Sequence, residues 1–471
     1  MSAKDLIVVV PGIGGSELVD GRGNVVWGSG GISGTLRDLL DIERLGADEH
    51  LRPVGLLNDI RIAAWALVGG YGELVANLTR TLRISPDEIE IAGAPHPKED
   101  TRLLLFPYDF RVDVRTTAEI LAAEIAARLG GSEQARQVVI IGHSLGGLVA
   151  RHWWASLGGS YVCREIITLG TPHRGAPKAL GWLLNGVSIG KGAIERFSTQ
   201  RLSTMSEVLR GWPAVYDLLP RYPAAMHATS ATYPHEISMA PDWFKTRASD
   251  AFGRHISLED AVREISGDER MSGARMTAFY SAGHPTPART IIDNAGRAEV
   301  SNEDAEWLPN HGWRGDGTVP AISAIPIEFD DSEDARDWRF TPERHSFMPS
   351  SGALIRHVEA LQRTSMKPVR GASSGSSWVA LDSPDISVLG QPVTVTAKLL
   401  GPAMSSSAAY LRTRQPGSRA FGEPIRMEST PRGWEASWTP ETEGLTDYRV
   451  EVLSTDIDRT IARDAVGVIE L

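Results

Sequence analysis

The clearest chemical signal in the sequence is a serine between two glycines. Ser144 lies in Gly142-His143-Ser144-Leu145-Gly146, which matches the pattern G-x-S-x-G. A buried-strand pattern precedes this segment and a helical pattern follows it, as in a strand-turn-helix that exposes a nucleophilic serine. Side chains in place of the two glycines would collide with the neighbouring strand and helix. The pattern therefore predicts nucleophilic catalysis by Ser144, with the following helix N-terminus favouring negative charge.

A serine hydroxyl is a poor nucleophile without a base, so an acid and a histidine are expected later in the chain. Asp316 lies in the glycine-flanked loop Arg314-Gly-Asp-Gly-Thr-Val-Pro320, and His345 follows the apolar segment 338–340. We expect His345 to take the proton from Ser144 and return it to the leaving group. Asp316 would fix the histidine tautomer and stabilise the imidazolium.

Other carboxylates and histidines compete for these two roles. His357 has the apolar neighbours of a helix residue, and His311 precedes the proposed acid, which is the wrong order. The competitors that stay open are Asp293, Asp304 and Asp330 for the acid, and His311 and His357 for the base.

An acyl-transfer site also needs two backbone N–H groups to stabilise the oxyanion. We expect one from Leu145, directly after the nucleophile, and one from Ile13 in the glycine-rich loop 11–15. A plain glycine-rich turn is the alternative for that loop. We expect no metal or cofactor, because the histidines are scattered, paired-cysteine spacing is absent, and no Gly-Lys-Ser/Thr follows the loop.

The elements that must position these groups are predicted from apolar runs and helical periodicity. Helical spacing over 116–128 places Ile120, Leu121, Ile125 and Leu129 on one face. Continuous apolar runs alternating with helices predict an α/β fold with a mainly parallel sheet covered on both faces. The predicted strands are 6–10, 103–106, 138–141, 166–169 and 276–280.

The chain is long enough for two domains. We expect an α/β-hydrolase domain over residues 1–366, with a helical cap at about 175–275 and an irregular, lid-like segment at about 20–70. Small and polar residues over 367–377 indicate a linker. Short alternating segments beyond it predict a small β-sandwich of immunoglobulin type over 378–471.

Composition narrows the function classes. The chain has 471 residues, with 48 Lys and Arg against 59 Asp and Glu, giving a formal charge of −11. This balance argues against a nucleic-acid partner. The only cysteine is Cys163, so no intramolecular disulfide can form. The apolar run 6–10 is far shorter than a signal-peptide core, and no membrane-spanning stretch is visible, so a cytoplasmic location is expected.

Several motifs in order resemble the lecithin:cholesterol acyltransferase family, which includes a lysosomal phospholipase and many bacterial relatives. The motifs are Val10-Pro-Gly-Ile-Gly-Gly-Ser16, Pro107-Tyr-Asp-Phe-Arg111, Gly142-His-Ser-Leu-Gly-Gly147, Leu169-Gly-Thr-Pro-His-Arg-Gly-Ala-Pro177, Trp212-Pro-Ala-Val-Tyr-Asp-Leu-Leu-Pro220 and Gly315-Asp-Gly-Thr-Val-Pro320.

This resemblance implies an α/β-hydrolase core with a cap, the triad Ser144, Asp316 and His345, and oxyanion donors at Ile13 and Leu145. It also implies a structural Asp-Arg pair within 107–111. The chain departs from the family in two ways. Mammalian members carry disulfides, whereas this chain can form no intramolecular disulfide. Its C-terminal β-sandwich also lies outside the family core.

The sequence is compatible with three functional hypotheses. The first is a lipase, phospholipase or esterase that cleaves a lipid-type carboxylic ester through an acyl-serine, with an acyl ester or lipid as substrate and transient contact with a lipid surface. The second is an acyltransferase that passes the acyl group to an alcohol. The third is a conditional effector or binding protein whose β-sandwich recognises a protein partner.

Overall fold

The computed structural model describes most of the chain. It covers residues 5–28, 42–47, 49–63, 66–130, 136–186, 199–266, 275–308, 312–330, 338–362, 377–402, 406–454 and 459–470. The competitor His311, residues 367–376 of the predicted linker and parts of the segment 20–70 lie outside these ranges. The domain boundaries therefore stay a prediction.

The strands of the N-terminal part are short and mostly buried. In chain order they are β1 (Leu6–Val10), β2 (Ser16–Val19), β3 (Val25–Trp27), β4 (Arg52–Leu56), β5 (Arg61–Ile62), β6 (Leu67–Val68), β7 (Ile89–Ile91), β8 (Leu103–Leu105), β9 (Val138–His143), β10 (Cys163–Leu169), β11 (Ala225–His227), β12 (Ser230–Thr232), β13 (Arg275–Tyr280), β14 (Arg289–Ile292), β15 (Ala298–Ser301) and β16 (Trp338–Phe340).

The α-helices in the described part of the chain complete this unit. They are α1 (Gly72–Leu82), α2 (Val114–Leu129), α3 (Leu145–Ser156), α4 (Pro177–Leu184), α5 (Thr199–Gly211), α6 (Pro213–Tyr216), α7 (Asp242–Ser266) and α8 (Gly352–Gln362). Within the described residues none of them is both long and apolar enough to cross a membrane.

A central parallel sheet carries the site. Its described strands run in the order β16-β13-β10-β9-β1-β8-β7, and every neighbouring pair is parallel. Alternate residues along β1 enter two different core clusters: Val8 joins the one with α2 and α3, whereas Val9 joins the one with α1 and α8. Both faces are therefore covered, which explains the unbroken apolar runs.

The apolar face predicted for helix α2 is wrong at one position. Leu121 and Ile125 are buried, as predicted, but Ile120 is 53% exposed. The buried stripe instead includes Ala118 and the aliphatic stem of Arg128.

Two segments differ from the patterns expected of them. The predicted cap, about 175–275, contains helices α4 to α7 and also the strands β11 and β12, which pair into a sheet of order β12-β11-β14-β15. The segment 20–70, expected to be irregular, contains β3 to β6. These strands have two to five residues, too few for a visible alternation.

The C-terminal residues form two sheets that face each other. Their strands are β17 (Trp378–Asp382), β18 (Ile386–Val388), β19 (Val393–Leu400), β20 (Ser406–Arg414), β21 (Ile425–Arg426), β22 (Glu428–Thr430), β23 (Gly433–Trp438), β24 (Gly444–Ser454) and β25 (Thr460–Ile469).

The described strands of these two sheets run β17-β19-β23-β22 and β18-β25-β24-β20-β21. Side chains of both sheets, such as Val395 and Val450, share one buried cluster. We call this unit the C-terminal sandwich. Ile386 and Val388 of β18 instead join the core cluster of the hydrolase unit, so the sandwich packs on it. The predicted fold class, an α/β-hydrolase core with a cap and a C-terminal β-sandwich, is confirmed.

Candidate active site

Ser144 occupies the sharp turn between β9 and α3. Its backbone has φ 52° and ψ −124°, a conformation that L-residues rarely adopt. A side chain at Gly142 would come within 2.7 Å of the Gly147 Cα, and one at Gly146 would overlap the Pro11 carbonyl. The steric reason given for the two motif glycines therefore holds in the structure. The Ser144 N–H donates to the Leu169 carbonyl at 2.9 Å, which ties the turn to β10.

The structure brings the three predicted side chains together. His345 Nε2 lies 3.0 Å from Ser144 Oγ, and His345 Nδ1 lies 2.7 Å from Asp316 Oδ2. The His345 N–H also donates to the Asp316 carbonyl at 3.0 Å, so the two loops are joined through the backbone as well. With Nδ1–H donating to the carboxylate, the Nε2 lone pair points to the serine hydroxyl.

Asp316 is held as a carboxylate. Its Oδ1 accepts from the amides of Thr318 and Val319 at 2.8 and 2.7 Å. Burial favours the neutral acid, but the adjacent His345 and these two amides outweigh burial and lower the pKa of Asp316 below its usual value. The acid is thus charged wherever the protein is folded near neutral pH.

The two predicted oxyanion donors flank the serine. Leu145 is the first residue of α3, and the first amides of a helix have no acceptor within it. Ile13 lines the same pocket as Ser144 and His345. The neighbouring Gly12 N–H is already engaged, since it donates to the Tyr71 hydroxyl at 2.7 Å.

Sequence reasoning missed a buried chain of hydrogen bonds behind the serine. The Tyr71 hydroxyl accepts from Gly12 and donates to His143 Nδ1 at 2.8 Å, and His143 Nε2–H donates to the His345 carbonyl at 3.0 Å. Burial lowers the pKa of His143 to about 3, so this histidine is neutral. These hydrogen bonds join the loop after β1 to the loop that carries His345. Tyr71 lies 72 residues from His143, and no local pattern marks it.

The pocket above Ser144 is narrow and largely apolar. Its volume is about 40 Å³. Lys178, on the cap helix α4, brings a charge to its wall. The apolar residues that line it are Ile13, Ala66, Leu67, Val68, Ala176, Ala179, Trp182, Leu218 and Val319.

The competing acids have other partners. Asp293 closes a turn with Arg297 and accepts from its Nε at 2.8 Å, and Asp330 pairs with Arg174. Asp304 is exposed. None of the three takes part in the Ser144 hydrogen bonds seen in the described part of the chain.

His357 also lies elsewhere, on α8, where its Nε2 contacts Glu165 Oε1 at 2.7 Å. The Asp-Arg pair implied by the family resemblance is present, since Asp109 and Arg111 form an ion pair at 2.8 Å. Arg111 also donates to the carbonyls of Gly46 and Glu49, and these hydrogen bonds tie the segment 107–111 to those two residues. Among the described residues, no group of three or more His, Cys, Asp or Glu side chains could hold a metal ion.

Comparison with known proteins finds one family model that is similar to part of the chain. The family model of lecithin:cholesterol acyltransferase matches residues 97–266. This match confirms the family resemblance. The matched segment contains Ser144 and most of the cap. No curated protein matches the chain significantly.

Solved structures give weaker likenesses. One is the Bacillus licheniformis lipase BlEst2 in propeptide form, at 11% identity and a TM-score of 0.36, covering 99% of this chain and 94% of that one. Another is the CARDB domain of the PF1109 protein from Pyrococcus furiosus, at 18% identity and a TM-score of 0.16, covering 20% of this chain and 94% of that one. At these TM-scores neither likeness supports a functional argument.

Proposed function

We propose that this protein is a serine hydrolase or acyltransferase that cleaves a lipid-type carboxylic ester through an acyl-Ser144 intermediate. The observation that carries this proposal is the continuous hydrogen-bonded line from Ser144 Oγ through His345 to Asp316. The match to the lecithin:cholesterol acyltransferase family independently supports ester hydrolysis or acyl transfer. Residues 97–266 include the nucleophile but neither the acid nor the base, so the triad rests on geometry.

The first half-reaction follows from the geometry. Ser144 Oγ attacks the ester carbonyl while its proton passes to His345 Nε2, and a tetrahedral oxyanion forms. The amides of Ile13 and Leu145 stabilise that oxyanion. The carbon–oxygen bond to the leaving alcohol then breaks, and His345 gives its proton to the alcohol oxygen. Asp316 stays ionised throughout and stabilises the imidazolium.

The second half-reaction removes the acyl group from Ser144. Water or an alcohol attacks the acyl carbonyl, His345 takes the proton of the attacking oxygen, and Ser144 Oγ leaves and recovers that proton. The difference between hydrolysis and acyl transfer is thus only the identity of the attacking oxygen. The family match favours an alcohol acceptor as the second candidate function, because the family is named for acyl transfer.

The lining of the pocket supports an apolar acyl group. Trp182, Leu218 and Val319 would contact the chain of a bound ester, and burying each methylene contributes about 0.8 kcal/mol. The pocket is small, so an acyl chain gains from these contacts only until it outgrows the pocket. Chromogenic esters of increasing acyl length should therefore show a maximum in kcat/KM followed by a decline.

The test of the proposal is the loss of turnover on removing the nucleophile. We expect Ser144→Ala to abolish hydrolysis of the preferred ester, whereas Ser257→Ala should leave it unchanged. Ser257 is an exposed helical serine whose hydroxyl bonds only locally, to the Gly253 carbonyl, so it serves as the matched control. Retained activity in Ser144→Ala contradicts the proposal. Adding alcohols and measuring transesterified product separates acyl transfer from hydrolysis.

A further inference from the structure

Arg344, the residue directly before His345, reaches away from the active site into the C-terminal sandwich. Its Nη1 donates to Asp464 Oδ2 at 2.6 Å and to Ser383 Oγ at 3.0 Å. Its Nη2 donates to Asp385 Oδ1 at 3.3 Å. Only 11% of the Arg344 side chain is exposed, so these are buried, charge-assisted contacts.

The acceptors on the sandwich are themselves fixed. The Tyr448 hydroxyl donates to Asp464 Oδ2 at 3.0 Å, and Tyr448 is fully buried. Asp385 also pairs with Lys178 Nζ at 3.0 Å. Because Lys178 lies on α4 and lines the pocket, the same sandwich carboxylate holds both the wall of the pocket and the loop of the base.

The Arg344 guanidinium also packs on the loop of the acid. A side chain at Gly317, the residue after Asp316, would lie 2.9 Å from Arg344 Nη2 and 3.0 Å from its Nε. One guanidinium therefore touches the residue next to the acid and belongs to the residue next to the base. This guanidinium thus lies between the two loops and the sandwich carboxylates that bind it.

A second, uncharged link runs parallel to the first. His284 Nδ1 accepts from the Leu381 N–H at 3.1 Å, so Nε2 carries the proton and donates to the Pro342 carbonyl at 2.9 Å. The backbone of His284 pairs with Gly315, one residue before the acid. Strand β17 of the sandwich is thus tied to both loops by His284 as well.

A buried ion cluster of this kind is weak as a stabilising device, because apolar side chains of similar volume often stabilise a core equally well. Its distinctive property is geometry, since the planar guanidinium fork fixes the direction of its hydrogen bonds as well as their length. We propose that Arg344 is a positioning residue through which the C-terminal sandwich holds the loops of Asp316 and His345 in catalytic register. This inference rests on the proposed function and gives the sandwich a role in it.

The test compares full-length variants on a soluble chromogenic ester. Arg344→Ala should lower kcat about 10- to 100-fold with KM changed less than about threefold, since the acid and base shift while the pocket remains. Arg344→Lys keeps the charge but not the fork, and should recover part of kcat. Asp464→Asn should lower kcat in wild type but add little in the Arg344→Ala background, because both changes remove one link.

Arg414→Ala is the matched control. Arg414 pairs with Asp447 on the same sheet as Asp464 and stacks over Phe421, outside the contacts of the triad loops described above. The kcat of Arg414→Ala should stay within twofold of the wild-type value. Circular dichroism and thermal unfolding identify variants that are folded at the assay temperature. If Arg344→Ala does not fold, Arg344→Lys and Ser383→Ala decide, and each should show a smaller drop in kcat.

A folded Arg344→Ala variant with wild-type kcat overturns the positioning role, as does an equal loss in Arg414→Ala. If Arg344→Ala does not fold, wild-type kcat in both Arg344→Lys and Ser383→Ala overturns it. The wild-type enzyme reports on the proposed function separately. If the wild type and a folded Arg344→Ala variant are equally active, only the positioning role is refuted. If the wild type itself is inert toward both esters and fluorophosphonate, the proposed function is refuted.

Discussion

Gly170 follows β10 and lies against the acid and the base at once. Its φ of 53° is in the left-handed region. An added Cβ would lie 2.7 Å from Asp316 Oδ2, 2.8 Å from Met348 Sδ and 3.0 Å from His345 Nδ1. Replacing Gly170 with alanine therefore presses a methyl group against both atoms of the hydrogen bond between acid and base.

The size of the effect follows from these distances. Ordinary van der Waals contact begins at 3.4 Å, so the Asp316 carboxylate must move by roughly 0.7 Å or the backbone must shift. Misplacement on the order of 1 Å can cost about 10²-fold in rate, so we expect Gly170→Ala to lower kcat about 10- to 100-fold. The left-handed backbone adds a loss of about 1–2 kcal/mol in the free energy of unfolding.

Gly158→Ala separates the steric effect on kcat from the backbone effect on the free energy of unfolding. Gly158 also has a left-handed φ, 74°, but the nearest atom to an added Cβ is Tyr161 Cδ2 at 3.8 Å. It should therefore lose only the backbone contribution, about 1–2 kcal/mol of the free energy of unfolding, and keep its kcat. The assay is steady-state ester hydrolysis beside chemical denaturation for both variants. Equal kcat in Gly170→Ala and wild type, or equal losses of kcat in both variants, would contradict the predicted displacement of the acid and base.

Two further variants probe the supports of His345. Asp316→Asn should keep the fold and lower kcat about 10³- to 10⁴-fold, because the amide no longer fixes the productive tautomer; steady-state kinetics beside circular dichroism checks this, and a kcat within tenfold of wild type contradicts it. Tyr71→Phe removes the link between Gly12 and His143. It should lower the free energy of unfolding by about 1–3 kcal/mol, since buried donors and acceptors lose their partners. The kcat of Tyr71→Phe should drop about tenfold. If both the urea denaturation curve and the kinetics are unchanged, the hydrogen-bonded link between Gly12 and His143 is not needed.

The strands of the central sheet were predictable because they are buried on both faces. Continuous apolar runs mark β1, β9 and β10, and the structure places each within three residues of the expected bounds. The edge strand β7 was missed, since it has three residues and Ile91 at its end is exposed. Ile120 was misplaced because α2 also exposes apolar residues at helical spacing, namely Ile120, Ala123 and Ala127.

The triad candidates were accessible from sequence because each lies in a local motif whose chain order restricts the choice. The residues that hold the triad loops in place could not be predicted from the sequence. Tyr71 and Arg344 act through contacts 72 and 120 residues away along the chain, and neither lies in a pattern of its own. Such contacts depend on how the loops and the C-terminal sandwich pack, which periodicity does not encode.

The proposed catalysis requires a covalent acyl group on Ser144, which mass spectrometry of the trapped enzyme can detect. The enzyme is mixed with a chromogenic ester, quenched in acid during steady state, and digested with trypsin. The peptide 137–151, between Arg136 and Arg151, contains Ser144 as its only hydroxyl residue. We expect the added mass of one acyl group on this peptide, and no such addition in Ser144→Ala. Acylation of a different peptide during turnover, or full turnover by Ser144→Ala, would contradict it.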